Sequence, residues 1–409
     1  MILADSRARS ERPALDRGVP IVLYVGWGGL DRPVQGQEQF LPSGTPAYAL
    51  ALAQGFRRRG YRVAAICEEG DGVAVLRSLL QREGVEVQTF ETPDRSLLGH
   101  LRRYRRFLSL VRSYPGCVLA LLMGYFTGGA SLQLAGVLGG AAGIVRADLT
   151  APMPPISPRQ KVSVMLKDRL VDRFVVGAAQ NRDEFVRLLA RSSMKVDVVH
   201  TGIELDQFQH AEGSEVREAL GYSPGDLIVG TVSRLREERK GIEFFVEMAG
   251  RIAALVPRAR FVIVGDGSGR TRLEMQAREA GLGDRIVFTG WRADVPNLLA
   301  AMDVFVMPSL YEGGPTVVLE AMAAGRAIVA TRVGMVPEVI DDGASGIIIE
   351  PGDSKPLTEA VAKLLSDDQL RNDVGERARE AAQSALSVDA MVEGYLTTFA
   401  QAVAQGRRH

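Results

Sequence analysis

The sequence has little of the chemistry that builds disulfide frameworks and metal centres. Its 409 residues include only two cysteines and four histidines. Cys67 and Cys117 permit one disulfide at most, and no Cys-x-x-Cys pair exists for metal or redox work. Both cysteines lie in apolar runs, so we expect buried thiols in a reducing compartment.

The sequence also lacks a net charge. The chain carries 49 lysines and arginines against 49 aspartates and glutamates. This zero is the sum of two unequal halves, because residues 1–200 carry 27 basic and 18 acidic side chains, and residues 201–409 carry 22 and 31. A nucleic-acid partner is therefore disfavoured, although the basic half can still meet an anionic partner or surface.

Neither a secretory signal nor a membrane span is predicted. Residues 1–20 have no apolar core of the kind that a signal peptide needs. The uncharged stretch 117–145 is long enough to cross a bilayer, but it contains seven glycines. These predict a buried strand, a glycine-rich turn, a helix and a second strand. We expect a cytoplasmic protein, and peripheral contact with the inner membrane face stays open.

Short apolar segments alternate with amphipathic segments along the chain. Strand 21–25 is followed by helix 46–60, and after residue 208 the pattern restarts with strand 226–233 and helix 241–257. Such alternation predicts parallel strands joined by crossover helices. The predicted fold class is α/β, with two doubly wound Rossmann-like domains facing each other across a cleft, where strand ends bind ligands.

The predicted domains are residues 1–205 and residues 206–385. Residues 386–409 are predicted as a terminal helix, with the alternative that this helix crosses back to the first domain.

Two basic residues flank a charged loop after strand 226–233. Arg234 and Lys240 lead into the next helix. The free amides and dipole of a helix N-terminus favour an anion, and two cations that reach the same point would neutralise a diphosphate. The alternative is a basic loop that is merely solvated.

A second candidate set lies in the segment EGGPTVVLE, residues 312–320. Glu312 follows a buried strand, and Glu320 lies in an otherwise apolar helix, where a carboxylate needs a ligand hydroxyl or a cation as partner. The amides of Gly314, Thr316 and Val317 begin this helix and can meet phosphate oxygens. The alternative is a helix-capping acid and a structural salt bridge.

Two glycine-rich loops have different interpretations. Gly44 opens the first helix and permits the close backbone approach that a phosphate-facing loop needs, although an ordinary turn explains it equally well. The run from Gly265 to Gly269 resembles a dinucleotide-binding loop but lacks the third-glycine spacing. Nicotinamide binding is therefore disfavoured.

Together these segments resemble the retaining glycosyltransferases of the large family 4, which have the two-domain GT-B fold. The resemblance covers nearly the whole chain. It includes SGTPAYALALAQGFRRRGYRV, VSRLREERKGIEFFVEMA, FVIVGDGSGR and DVFVMPSLYEGGPTVVLEAMAAGRAIVATRVGMVPEVI. The Glu-x7-Glu segment followed by AMAAG is highly specific.

The resemblance implies that a sugar moves from a UDP- or GDP-sugar donor to a hydroxyl acceptor, with retention and without a protein nucleophile. Arg234 and Lys240 would bind the donor diphosphate as charge develops on the leaving nucleotide. Glu320 would bind the ribose hydroxyls, and Glu312 would hold the donor sugar.

The resemblance also assigns the remaining donor contacts. The backbone near Trp291 and Arg292 would meet the base, and Gly44 would approach the phosphates from the opposite domain. By the same resemblance, the domain 1–205 would lie on the acceptor side, and the domain 206–385 would bind the nucleotide sugar. No metal and no other cofactor is expected.

Two departures from the family pattern affect this assignment. Pro315 stands where many members have glycine, and it lacks an amide, so one phosphate donor must come from elsewhere. Asp148 ends a strand where the family often has a histidine facing the acceptor. It is predicted as a catalytic residue that holds an acceptor hydroxyl or amine, and the alternative is a strand-end acid paired with Arg146.

The acceptor is left open between a sugar, a lipid-linked sugar and a small-molecule glycoside. The basic helix 97–113, with Leu98 and Phe107 alongside, would suit an anionic membrane, and the alternative is a solvated helix face. Two further functions stay open. One is a nucleotide-sugar epimerase or phosphorylase on the same fold, and the other is a non-catalytic partner.

Overall fold

The computed structural model describes residues 14–26, 45–69, 73–91, 96–123, 129–149, 156–235 and 238–406. The chain divides into two compact units. One contains Met1–Thr201 together with Val388–His409, and the other contains Gly202–Ser387. These divisions lie within a few residues of the predicted bounds at 205 and 385.

The first unit is built on a seven-stranded parallel sheet with the order β3-β2-β1-β4-β5-β6-β7. The strands are β1 (Ile21–Val25), β2 (Val63–Glu68), β3 (Glu86–Phe90), β4 (Val118–Met123), β5 (Gly143–Asp148), β6 (Arg173–Val176) and β7 (Val196–Val198). The helices between them are α1 (Thr45–Arg58), α2 (Val73–Arg82), α3 (Leu97–Arg112), α4 (Ala130–Leu138), α5 (Pro158–Asp168) and α6 (Ala179–Leu189).

Helices cover both faces of this sheet. Side chains of α1 and α2 share a buried cluster with one face, and side chains of α3, α4, α5 and α6 share a cluster with the other. Strands β1 and β4 are therefore apolar along nearly their whole length, as is usual for parallel strands buried on both sides.

The second unit is built on a six-stranded parallel sheet with the order β10-β9-β8-β11-β12-β13. The strands are β8 (Leu227–Val232), β9 (Ala259–Val264), β10 (Ile286–Gly290), β11 (Val304–Met307), β12 (Ala327–Thr331) and β13 (Ile347–Ile349). The helices are α7 (Asp206–Gln209), α8 (Ser214–Ala219), α9 (Ile242–Leu255), α10 (Arg270–Glu279), α11 (Val295–Ala301), α12 (Thr316–Ala323), α13 (Val336–Val339), α14 (Ser354–Ser366) and α15 (Asp368–Ala385).

The strand order of the second sheet reverses between β8 and β11. The connections from β8 lead outward through β9 to β10, and those from β11 lead the other way through β12 to β13. The connections that follow β8 and β11 therefore run in opposite directions, and such a reversal is where doubly wound sheets bind ligands at the carboxyl edge. The predicted fold class, with two doubly wound α/β units, is confirmed.

The last helix, α16 (Val388–Gly406), packs in the first unit. Its Tyr395 and Phe399 belong to the same buried cluster as α1. The hydroxyls of Tyr48 and Tyr395 are 2.9 Å apart. The chain thus returns to its first unit after completing the second.

The uncharged stretch 117–145 contains β4, α4 and the start of β5. Among the described residues, no helix is both long and apolar enough to cross a bilayer. Helix α5 is an element that the sequence pattern did not predict.

The contact between α1 and α16 generates a stability prediction. A Cβ atom at Gly55 would lie 2.4 Å from Cγ2 of the buried Val392, so Gly55→Ala overpacks this contact. We expect a loss of about 1–3 kcal/mol in the free energy of unfolding, despite the higher helix propensity of alanine. Denaturant unfolding measures it, and the cost should shrink in a Val392→Ala background. Stabilisation by Gly55→Ala alone would contradict the packing.

Candidate functional site

The loops after β8 and β11 are in backbone contact at the strand reversal of the second unit. Gly241 has φ 62°, and a Cβ atom there would lie 2.1 Å from the Pro308 carbonyl oxygen. The amide of Leu310 donates to the Arg239 carbonyl over 2.7 Å. Only glycine satisfies both the left-handed conformation and the close approach, so Gly241 fixes how the two loops meet.

This contact brings two predicted site residues together. Lys240 Nζ lies 2.6 Å from Glu312 Oε1, and the Ser309 hydroxyl donates to the same oxygen over 3.1 Å. Glu312 is buried, and Lys240 keeps 17% of its side-chain surface exposed. A cation held at this edge by a buried carboxylate can meet an anionic ligand without leaving Glu312 unpaired.

The loop that carries Glu312 is held by residues after β12. Thr331 Oγ1 donates to the Ser309 carbonyl over 2.5 Å. Gly334 has φ 53°, and a Cβ atom there would lie 2.6 Å from the Gly313 carbonyl oxygen. Sequence reasoning missed Ser309, Thr331 and Gly334, because their contacts join loops that only the folded sheet places side by side.

The predicted phosphate-binding amides lie at the N-terminus of α12. Pro315 precedes the helix with φ −72°, and the amide of Val318 already bonds to its carbonyl over 3.1 Å. Thr316 and Val317 supply the first two helix amides, which point out of the N-terminus together with the positive end of the dipole. Gly314 directly precedes this turn. The arrangement favours an anion beside Glu312.

Glu320 lies further along α12 with an unusual carboxyl group. Among the described residues, no hydrogen bond or ion pair to its side chain is found. Burial raises the pKa of Glu320 to about 7. A desolvated carboxylate without a cation is suited to accept hydrogen bonds from ligand hydroxyls, which offset its desolvation cost.

The other predicted donor-binding residues lie on neighbouring loops. Arg234 is exposed and follows β8, where Gly265 approaches so closely that a Cβ atom would lie 1.9 Å from the Ser233 carbonyl oxygen. Arg292 follows β10 and binds both carboxylate oxygens of Asp294 over 2.7 and 2.6 Å. Its guanidinium is therefore already paired. Gly44 lies outside the described residues.

Asp148 lies elsewhere, at the end of β5 in the first unit. Its side chain has no exposed surface and contacts Arg146 at 2.8 Å and Arg191 at 2.6 Å. Burial alone would raise the pKa of Asp148, but the two guanidinium groups outweigh it and hold this pKa below its usual range. These contacts correct the prediction that Asp148 holds an acceptor group, because both oxygens already have partners and neither reaches solvent. The observed contacts agree with the alternative, a strand-end acid paired with Arg146.

Arg191 is a second partner that sequence reasoning missed. Its guanidinium lies over the rings of Phe174 and Phe185, 4.0 and 4.4 Å from their centroids. It also binds Asp168 over 2.6 Å. The network therefore stabilises the carboxyl end of β5.

Comparison with known proteins shows a family similarity within the second unit. Residues 214–381 match the model of glycosyl transferases group 1. This segment of the chain is therefore similar to that group. The matched segment contains Arg234, Lys240, Glu312 and Glu320, and the resemblance found in the sequence is confirmed at this level.

Two relatives of this chain differ in the sugar that their names give as transferred. The chain is 33% identical over 205 residues to alpha-D-kanosaminyltransferase of Streptomyces kanamyceticus, covering 48% of this chain and 52% of that protein. It is 30% identical over 205 residues to UDP-Gal:alpha-D-GlcNAc-diphosphoundecaprenol alpha-1,3-galactosyltransferase of Escherichia coli, covering 49% of this chain and 52% of that protein. The chain spans about half the length of the curated relatives it matches.

A solved structure shows the same fold over most of this chain. Anabaena Alr3699/HepE in complex with UDP superposes with a TM-score of 0.76 at 20% identity, over 92% of this chain and 97% of that chain. The GT-B fold is thereby shown for both units.

Glu320 generates a pH prediction. The pKa of about 7 lies above the usual 4.5, so the folded protein binds this proton more tightly than the unfolded chain. The resulting stabilisation is complete below the unfolded pKa and is lost as pH rises through the folded pKa. Relative to Glu320→Gln, the wild type should lose free energy of unfolding from about pH 5 to about pH 8.

Urea unfolding of both proteins across this range measures the difference. Glu359→Gln, at an exposed position on α14, is the matched control for removing one carboxylate from a helix of the same unit. Parallel pH profiles of wild type and Glu320→Gln would contradict the raised pKa.

Proposed function

We propose that this protein is a retaining glycosyltransferase that moves a hexosyl or N-acetylhexosaminyl group from a UDP-sugar to an acceptor hydroxyl. One observation supports this most strongly: Lys240 and Glu312 meet at the strand reversal of the second sheet. A cation and a carboxylate at this crevice suit a ligand that is anionic at one end and hydroxylated at the other. A nucleotide sugar has this chemistry.

The diphosphate would lie between Lys240, Arg234 and the N-terminus of α12. As the bond from the sugar to the diphosphate breaks, negative charge grows on the departing nucleotide. Fixed cations and helix amides stabilise this charge more than that of the bound donor, which lowers the barrier. Because Pro315 has no N–H group, the amides of Thr316 and Val317 contribute more to stabilising the charge on the departing nucleotide.

The two glutamates would hold the neutral ends of the donor. Glu320 accepts hydrogen bonds from the ribose hydroxyls, and its isolation from cations leaves both oxygens available for them. Glu312 accepts from hydroxyls of the transferred sugar while holding Lys240 in place. With Asp148 engaged by two arginines, no protein nucleophile is assigned, and the acceptor attacks from the face that the nucleotide leaves.

UDP is the proposed nucleotide for two reasons. The solved structure of similar fold contains UDP, and a named relative is a UDP-Gal-dependent enzyme. A cytoplasmic location is also proposed, since the buried thiols of Cys67 and Cys117 are both free, which suits a reducing compartment. The acceptor class is proposed as a sugar or aminosugar hydroxyl, free or lipid-linked.

The transfer reaction itself is tested with a panel of UDP- and GDP-sugars and candidate acceptors. Product formed only when acceptor and donor are both present supports the proposal, and NMR of the product should show the anomeric configuration of the donor. Epimerised donor without acceptor, dependence on phosphate, or binding without turnover would overturn it in favour of an epimerase, a phosphorylase or a non-catalytic protein.

Glutamine variants at the Lys240–Glu312 contact give the sharpest site prediction. Glutamine keeps a hydrogen-bonding group at each position. Lys240→Gln still leaves the buried Glu312 carboxylate without a counter-charge, so the free energy of unfolding is measured for both variants. We expect Glu312→Gln to lower kcat about 10²–10³-fold while nucleotide binding persists, and Lys240→Gln to weaken nucleotide binding as well. Turnover assays and titration calorimetry separate the two effects.

Lys355→Gln, at an exposed position in the same unit, is the matched control and should retain wild-type turnover. Turnover within about threefold of wild type in both site variants would refute the assignment.

Independence from metal is part of the proposal. Within the described residues, no group of three or more histidine, cysteine, aspartate or glutamate side chains could hold a metal ion. Lys240, Arg234 and the α12 amides supply the positive charge that a metal would otherwise bring to the diphosphate. We expect kcat to be unchanged in excess EDTA. A loss restored by magnesium or manganese would show that a metal takes part.

A further inference from the structure

Three neighbouring helices of the first unit expose large apolar side chains. Leu98 and Leu101 of α3 are 66% and 47% exposed, and Leu134, Val137 and Leu138 of α4 are 41%, 47% and 52% exposed. The three residues of α4 are spaced i, i+3 and i+4, so they form one stripe on the side opposite the buried Leu132 and Ala135. A stripe of this kind facing solvent is unusual for a helix in a soluble unit.

Helix α5 continues this surface. Val162, Met165 and Leu166 are 57%, 50% and 58% exposed, whereas Val164 points into the core. Helices α3, α4 and α5 lie on the same face of the sheet, where their buried side chains belong to one cluster, and α3 packs along α4. We call their outer surface the α3–α5 face.

The charge of the α3–α5 face is of one sign. Arg102, Arg105 and Arg106 of α3 and Lys161 of α5 are exposed, and among the described residues none of them makes an ion pair. The acid that these helices carry, Asp168, is bound by Arg191 over 2.6 Å. Basic side chains therefore flank the apolar stripe without an acid to neutralise them.

Two residues of the basic helix, Phe107 and Arg103, do not belong to the exposed surface that the sequence predicts. Phe107 is fully buried and contacts the core, so it takes no part in a surface interaction, contrary to its predicted place beside a membrane. Arg103 turns to Glu68 and Tyr24. The exposed apolar residues come mostly from α4 and α5, outside the basic helix.

We propose that the α3–α5 face docks on the surface of an anionic lipid bilayer. The leucines, valines and methionine would enter the interfacial region, and the arginines and lysine would lie at the anionic headgroups. Charge complementarity distinguishes this partner from a second copy, because a two-fold interface would set basic helices against each other. Nucleic acid would meet the arginines but leave eight apolar side chains in water.

Vesicle co-sedimentation without any nucleotide sugar tests the proposal, so that its result is independent of the proposed transfer reaction. The full chain should bind vesicles of phosphatidylcholine and phosphatidylglycerol, and not vesicles of phosphatidylcholine alone. Binding should fall as salt rises. No binding to the anionic vesicles at low salt would overturn the proposal.

Double variants test whether vesicle binding depends on the α3–α5 face or on exposed apolar and basic residues in general. Leu134→Gln with Leu138→Gln, and Arg105→Glu with Arg106→Glu, should each lower the partition coefficient at least about tenfold. The matched controls change exposed residues of the second unit: Leu255→Gln with Met275→Gln, and Arg272→Glu with Arg278→Glu. The controls should bind as wild type does.

Equal losses in the controls would overturn the assignment of the face. Sedimentation velocity provides the other decisive outcome. A dimer that dissociates in the Leu134→Gln, Leu138→Gln variant, without vesicle binding by the wild type, would show that a second copy covers the face instead.

Discussion

The candidate donor site depends on one backbone contact, that of Gly241 with the Pro308 carbonyl. The two loops leave neighbouring parallel strands, but their connections run in opposite directions. With φ 62° and no Cβ, Gly241 lets them touch. The contact sets the distance between Lys240 and Glu312, the start of α9, and the approach to α12. A side chain at this position would separate the charges that the site needs together.

Three carboxylates of this protein differ in their burial and in their cationic partners, and these differences determine whether each can bind a ligand. Asp148 is held between two arginines and is fully buried, so it is a structural anion. Glu312 shares its oxygen with one lysine and one hydroxyl, which leaves the lysine able to meet a ligand. Glu320 has burial without a cation, and its pKa rises to about 7. Only the last two are suited to bind a polar ligand.

Much of this could be predicted from local sequence. The alternation of segments gave both sheets, and the segment from Glu312 to Glu320 identified its loop and helix because loop glycines and an isolated acid leave a signature within a few residues. Contacts between segments that are distant in the sequence leave no such signature in the residues around them. Arg191 is 43 residues from Asp148. The residues around Thr331 and Gly334 likewise give no sign that these two hold the loop of Glu312. Helix α5 was missed for a different reason. Its apolar residues face outward as well as inward, so the periodicity of a buried face is broken.

Because α16 packs in the first unit, the two units can complete their folding only in a certain order during synthesis. Its Tyr395 and Phe399 complete the core around α1 and β1, although they lie close to the end of the chain and α1 close to its start. The second unit is continuous in sequence from Gly202 to Ser387, so its residues all leave the ribosome before α16 does. During synthesis the second unit can fold first, while the core of the first unit stays incomplete until α16 emerges. The core of the first unit thus depends on a helix that is made only after the whole second unit.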